Sequence, residues 1–411
     1  MQTAEKPLYD IIAEETRHSN EGKRSMTLSM GPQHPSTHGV LRLELELDGE
    51  TVLSCKPDIG YLHTGIEKEF ETKLYYKNIP MTDRMDYMSP MSNNLGYCLA
   101  VEKLLDIDEQ IPARARWVRV LCMEFTRINS HLVWLGTHAL DLGAMSMFLY
   151  AFRDRELILD MYEALSGQRM MASYIRIGGL MADLPEGFEK RTRAFIKQMR
   201  KHLAEFEALL TNNRIFQMRT IGVGAISAED AINCGLTGPS LRGSGVAYDV
   251  RRAFPYSDYD KFKFEIPIGV AGDVYSRYLV RMEEIRQSLD IMTQAIDGMP
   301  EGPYRAHVPG VVLPTKEDVL KKMESMIFHF KIIIDGFKVP EGSVYVAVES
   351  GKGEVGFFID SDGSNIPNRV RVRPPSFVNL SALTKLVEGR LVADVVAAIG
   401  SIDIVLGEVD R

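Results

Sequence analysis

Residues 113–140 read ARARWVRVLCMEFTRINSHLVWLGTHAL, and this stretch decides the fold. Val118, Leu121, Cys122, Phe125, Leu132, Leu135 and Ala139 recur at helical spacing, while the remaining faces are also largely apolar. A helix apolar on most sides has to be buried, so the centre of the molecule is helical. Glu124, Arg127, His131 and His138 run through it at offsets that keep one face, with Asp141 just beyond. Charges placed there must be paired, which predicts an internal ladder of ion pairs joining this helix to its neighbours. A di-iron bundle would need Glu-x-x-His on two helices, and the residue three beyond Glu124 is Arg127.

Working outward, helical periodicity also marks 89–105, 146–166, 186–212, 271–297 and 316–335. Ahead of these, Leu41, Leu43, Leu45 and Leu47 alternate with Arg42, Glu44, Glu46 and Asp48. A Gly49-Glu50 turn and a second short run follow, the pattern of a half-exposed β-hairpin. Near the end, 343–349 and 355–360 flank Gly351-Lys352-Gly353, and Arg369, Arg371 and Arg373 alternate on what reads as a solvated or partner-facing strand edge. The stretch 219–267, rich in Gly, Pro, Ser and Tyr, reads as a long ordered loop of the functional kind. The predicted class is α+β: a mainly helical core at 89–340, an N-terminal β domain with loops at 26–88, an exposed arm at 1–25, and a C-terminal β element with a terminal helix or tail at 341–411.

A net charge of −8 argues against a nucleic-acid groove, which needs a basic stripe. The longest apolar run, 391–406, is broken by Asp394 and Asp403, so no transmembrane segment is expected. Cys55, Cys98, Cys122 and Cys234 form no Cys-x-x-Cys pair and read as small core residues of a reducing compartment. The chain is expected to bind no metal or iron–sulfur cluster of its own.

Residues 31–39, GPQHPSTHG, place His34 and His38 four apart where Pro32 and Pro35 forbid a helix. A rigid loop can aim an imidazole at a ligand, and histidine exchanges protons near neutrality. A capped structural hairpin is the other reading of the same residues.

Three further polar segments stand in apolar surroundings: GYLHTGIEK at 60–68, DRMDY at 83–87 and SIDIVLGEVDR at 401–411. Taken with 31–39, 136–143, YIRIGG at 174–179, 241–251 and RPPSFVNL at 373–380, they closely resemble the D-subunit family of proton-pumping type I NADH dehydrogenase, respiratory complex I, over nearly the whole chain. That family is similar in fold to the large subunit of nickel-iron hydrogenases, whose metal is held by an early and a late cysteine pair. The pairs would fall at 62–65 and 403–407, where this chain has His63, Thr64, Val405 and Gly407. Such a site needs soft thiolates, so the cavity is free for another ligand.

The resemblance implies that the cavity receives a quinone headgroup against the small, cluster-bearing B subunit of the complex. It implies His38 and Tyr87 as the headgroup pair and Asp141 as the acid that orients His38 and raises its proton affinity. His34, Arg84, Asp58 and His63 would line or support the pocket. Iron–sulfur clusters and FMN would sit on partner subunits and NADH would be oxidised elsewhere, with the C subunit and the membrane-embedded H subunit as further neighbours on the cytoplasmic face of the cell membrane. In keeping with this, Gly222-Val223-Gly224 lacks the third glycine of a dinucleotide fingerprint. The alternatives are a metal-free scaffold, or the corresponding component of a ferredoxin- or hydrogenase-linked relative. One departure stands out: where the family often has a histidine, 167–174 carries Met170 and Met171. This predicts a weakly pH-dependent potential for the partner's cluster and is compatible with a low-potential quinone such as menaquinone.

Overall fold

The computed structural model describes residues 12–16, 25–37 and 39–411. An antiparallel sheet runs in the order β1 (Ile12–Thr16), β2 (Ser25–Met30), β3 (Arg42–Asp48) and β4 (Thr51–Asp58). Within the stretch read as an arm, β1 pairs along β2, Ile12 opposite Ser29. Alternation fixes the register of the next pair: Met30 faces Leu43 and Leu28 faces Leu45, so one face is apolar throughout.

Two short helices follow, α1 (Ile66–Phe70) and α2 (Tyr75–Thr82), and then the long ones: α3 (Pro90–Leu104), α4 (Ala113–Asp141), α5 (Met145–Ser166) and, after the small hairpin β5 (Ile175–Arg176) and β6 (Gly179–Leu180), α6 (Phe188–Leu210). The region 219–267 is not one loop. After α7 (Arg214–Thr220) it holds α8 (Ala228–Asn233), α9 (Pro239–Arg242) and α10 (Val250–Ala253), each too short to show a period in sequence. Helix α11 (Val274–Asp297) begins three residues later than its apolar pattern, because Gly272 takes φ +66° and Asp273 caps the helix through the amide of Ser276. The single helix expected at 316–335 is two, α12 (Lys316–Lys321) and α13 (Met323–Asp335), parted by an extended Lys322. The C-terminal part is the antiparallel sheet β7 (Gly342–Glu349), β8 (Glu354–Ser361) and β9 (Arg369–Arg373), then α14 (Pro375–Leu380), α15 (Leu383–Val387), α16 (Val392–Ile402) and α17 (Leu406–Asp410).

Helix α4 is buried, as its sequence requires, and its charges form the expected ladder. Glu124 accepts from Arg127 (3.3 Å), Arg251 (3.2 Å), Tyr259 (2.6 Å) and Ser288 (2.6 Å). His131 shares a 2.8 Å hydrogen bond with Glu284, which also accepts from Arg242 at 2.6 Å, and Arg242 reaches Glu349 at 2.8 Å. The 219–267 region thus serves the core by supplying Arg242 and Arg251. The apolar face of β2–β4 packs on α15 and α16 through Leu43, Leu45 and Val52 against Leu383, Val395 and Ile399. This brings the C-terminal segment against the N-terminal loops.

Candidate functional site

After α2 the chain turns tightly: the amide of Arg84 donates to the carbonyl of Met81, that of Met85 to Thr82, and that of Ser89 to Asp86. The turn buries Met85 and Asp86 completely, while Arg84 and Tyr87 reach a cleft of about 320 Å³. Met81 shares this wall. Asp83 points the other way, accepting from Ser173 at 2.5 Å, so the Met170-Met171 segment is tied to the same turn. Burial pushes the Asp83 carboxyl up to about 6, against the opposing bonds from Ser173 and Asn94.

The facing wall is the loop leading into α1, with Leu62 and Thr64, and α1 itself, with Ile66 and Glu69. Asp410 of α17 holds this loop: its carboxylate accepts the amides of Gly60 (2.9 Å) and Leu62 (2.7 Å). His63 lies 2.6 Å through Nδ1 from the carbonyl of Asp410, so Nδ1 carries the proton. Glu67 locks the start of α1 to β9 and the terminus through Arg371 (2.9 Å), the amide of Val372 (2.9 Å) and Arg411 (3.1 Å). Two of the alternating arginines of β9, Arg371 and, through Glu71 (3.0 Å), Arg369, therefore hold α1 in place, while Arg373 donates to the carbonyls of Glu354 and Gly235.

Gly407 closes the cleft. The two segments in which the resemblance would seat cysteine pairs, 62–65 and 403–407, thus meet at one cavity beside Tyr87. The lining offers a phenol, a hydroxyl, one carboxylate and the single thioether of Met81 and no thiol, a donor set short of the thiolates that a soft-metal site needs. Among the described residues no group of three or more His, Cys, Asp or Glu could hold a metal ion. The thiols are spent elsewhere; burial pushes Cys55 and Cys122 up to about 12.

Of the other residues singled out in sequence, His38 lies outside the described residues. Its loop is anchored by Thr37, whose amide and hydroxyl both donate to the carbonyl of His34 (3.1 and 2.9 Å). Gly31 is required there: it takes φ +93°, and a Cβ would stand 2.2 Å from the carbonyl oxygen of Leu41. The loop packs on α16, and α4, whose last residue is Asp141, packs on α16 too through the indole of Trp134, which donates to Gly400 at 2.7 Å. A Cβ on Gly39 would meet Leu406 at 3.5 Å, one residue from Gly407. His34 is half-buried in the loop. Asp58 is 3.3 Å from both Arg42 and the Tyr61 hydroxyl and lies behind the cleft loop, outside the lining. His63 is likewise a brace for the loop, outside the lining.

Tyr87 is raised above the usual phenol range, by burial first and by the charge of Asp86 second, with Lys352 opposing. It is a neutral hydrogen-bond donor at pH 7. The segments singled out in sequence meet at this cleft, where Thr64 and Gly407 stand at the positions read as vacated by cysteines, whereas Glu69 and Met81, whose residue types carry no signal by themselves, were not picked out. Sequence reasoning also missed Lys352, which is fully buried and whose charge acts on Tyr87.

Residues 141–411 match the family model described as "Respiratory-chain NADH dehydrogenase, 49 Kd subunit". The chain is 56% identical over 411 residues to the first of the NADH-quinone oxidoreductase D subunits of Solibacter usitatus, covering 100% of both chains. It is 58% identical over 388 residues to the second of the NADH-quinone oxidoreductase D subunits of Koribacter versatilis, covering 94% of this chain and 96% of that one. To the NADH-quinone oxidoreductase D subunit of Geobacter metallireducens it is 55% identical over 386 residues, 94% and 98% of the two chains. With its cleft at the junction of the 60–66 loop, the Tyr87 turn and the C-terminal helix, the chain belongs to the family of the respiratory-chain NADH dehydrogenase 49 kDa subunit.

Proposed function

We propose that this chain builds the quinone-reducing cleft of a proton-translocating NADH-quinone oxidoreductase, positioning the headgroup and supplying protons as electrons arrive from the iron–sulfur cluster of the small B subunit. The observation that carries the reading is the cleft itself: its volume of about 320 Å³ suits a single ring, and a neutral phenol stands on its wall. Quinone plus two electrons and two protons gives quinol. Tyr87 donates a hydrogen bond to one carbonyl oxygen, stabilising the charge that develops there, and gives up its proton to the reduced species. His38, paired with Asp141, serves the other oxygen, and Arg84 lends positive charge at the rim. Leu62, Ile66 and Met81 hold the ring and exclude water.

In this reading the chain carries no cofactor, FMN and the clusters belong to other subunits, and the B, C and H subunits are its neighbours. It sits on the cytoplasmic side of the inner membrane; no described helix is long and apolar enough to cross a bilayer. Replacing Tyr87 by Phe in the assembled enzyme tests the proposal. Losing a donor to developing charge costs about 3 kcal/mol, so quinone reduction should fall roughly a hundredfold while NADH oxidation by an artificial acceptor persists. A scaffold with no substrate contact would keep both activities.

A further inference from the structure

Near Tyr87 and outside the cleft lining, Lys352 is buried with Asp86, Asp403 and Glu408. Its ammonium donates to Ser130 at 2.7 Å and lies 3.4 Å from Asp86 and 3.7 Å from Asp403. Asp86 spends Oδ1 on the amide of Met88 (3.0 Å) and turns Oδ2 to Lys352, Asp403 likewise faces Lys352 with Oδ2, and Glu408 spends Oε2 on the amide (3.1 Å) and hydroxyl of Ser376, which leaves Glu408 Oε1 with no hydrogen bond or ion pair among the described residues. The hydroxyl of Ser89, also without such a bond, borders the same space, since a Cβ on Gly351 would stand 3.1 Å from Ser130 Oγ and 3.7 Å from Ser89 Oγ.

The charges do not balance. Three buried carboxylates face Lys352 and the guanidinium of Arg281, which acts on Asp403, so one negative charge is in excess. An uncompensated carboxylate in such surroundings takes up a proton. Two of the acids are also chain neighbours of cleft residues: Asp86 precedes Tyr87, and Glu408 follows Gly407.

We propose that Asp86, Lys352, Asp403 and Glu408 form a buried proton store that returns to Tyr87 the proton it gives to quinone, an inference that rests on the quinone-site reading above. In the step, the Tyr87 O–H bond breaks as the reduced quinone oxygen gains its O–H bond. The store's carboxylic acid then gives its proton to the phenolate, becomes a carboxylate, and is refilled from solvent. Both electrons come from NADH through the enzyme's own carriers. Glu408 is the holder: burial, and then the charge of Asp86, push it up to about 8 against Ser376 and Lys352. Lys352 stays charged, because Asp403, Asp86 and Glu408 together outweigh its desolvation.

The test uses the assembled enzyme. Its infrared spectrum should contain a carboxylic-acid carbonyl band that titrates near pH 8 and changes when quinone is reduced; absence of that band overturns the proposal without any mutant. In Glu408→Gln the band should vanish and kcat for quinone reduction should drop about tenfold. The alkaline limb of the pH profile should flatten, with KM for quinone unmoved because the cleft lining is intact. An unchanged pH profile and band in that variant also refute the store. Tyr87→Phe separates the two claims: if it retains quinone reduction, the quinone-site reading fails, whereas loss there with an unaffected Glu408→Gln removes the store alone.

Discussion

Gly407 lies against the ring of Tyr87, so close that a Cβ on it would meet Cε1 at 3.4 Å and the carbonyl oxygens of Met85 and Arg84 at 2.8 and 3.1 Å. The backbone oxygens cannot swing aside as a flexible side chain would. Gly407→Ala therefore has to push the 84–87 turn into the cleft, at an overpacking cost of about 1–3 kcal/mol. The expected outcome is a KM for quinone about tenfold higher, with NADH oxidation by artificial acceptors unaffected. Steady-state kinetics on the assembled enzyme measures it, and an unchanged KM would show that the substrate does not use this cleft.

The loop opposite depends on one carboxylate. Asp410→Ala removes the acceptor for the amides of both Gly60 and Leu62, hydrogen bonds to a charged group worth about 1.5–3 kcal/mol each. Asp410→Asn keeps a single acceptor and should lie between. Hydrogen exchange of residues 60–65 within the complex should be lowest in the parent, higher in Asp410→Asn and highest in Asp410→Ala.

The ladder along α4 should make the core acid-sensitive. Burial holds His131 below its ordinary value of 6.5, so it is neutral and donates to Glu284, which Arg242 and His131 hold far below its ordinary 4.5 despite burial. A base depressed in the folded state loses stability as pH falls below its unfolded value, and so does a depressed acid as pH falls through 4.5 and beyond. Both act in one direction. Thermal midpoints should decline from about pH 6.5 downward, and Glu284→Gln, by leaving Arg242 less compensated, should cost about 3–5 kcal/mol with a shallower acid slope. A variant as stable as the parent would remove the ladder from the account of the fold.

In the quinone-site reading proposed above, Met170 and Met171 stand where a histidine would couple the partner's cluster to pH. Besides the exposed Arg169, which pairs with Glu156 and Asp160, the segment is linked to a titratable group through Ser173, bonded to Asp83, whose carboxyl burial pushes up to about 6. A redox titration of that cluster should show only a shallow slope. Whatever slope remains should centre near 6, with the potential falling as Asp83 gains its negative charge, and Asp83→Asn should abolish it. A steep dependence that survives Asp83→Asn would mean another group is responsible.

How much of this could be read in the sequence follows from which forces are periodic. The apolar wrapping of α4 and the alternation of Leu43, Leu45 and Leu47 record burial directly, and both appear in the structure where the pattern puts them. Short helices such as α8 to α10 leave no period, and the break at Lys322 turns on one residue's backbone. The cleft was legible as segments, since polar residues in apolar surroundings ask for a reason. Which residue of each segment lines it was not: His63 turns to Asp410 while Thr64 and Leu62 line the cleft. Lys352 shows the limit most clearly, because nothing in Gly351-Lys352-Gly353 reveals that Ser130, more than two hundred residues earlier, covers its ammonium.

The bond from Leu62 to Asp410 spans 348 residues. At about 5–20 residues per second of synthesis, roughly 20 to 70 seconds separate the emergence of the first wall from that of the residue that secures it. Throughout that interval the nascent polypeptide carries Leu62, Ile66 and Met81 with nothing to close over them. Such a greasy, half-built surface attracts chaperones and premature partners alike, so the wall of the cleft that is made early is left unsecured until Asp410 has followed it.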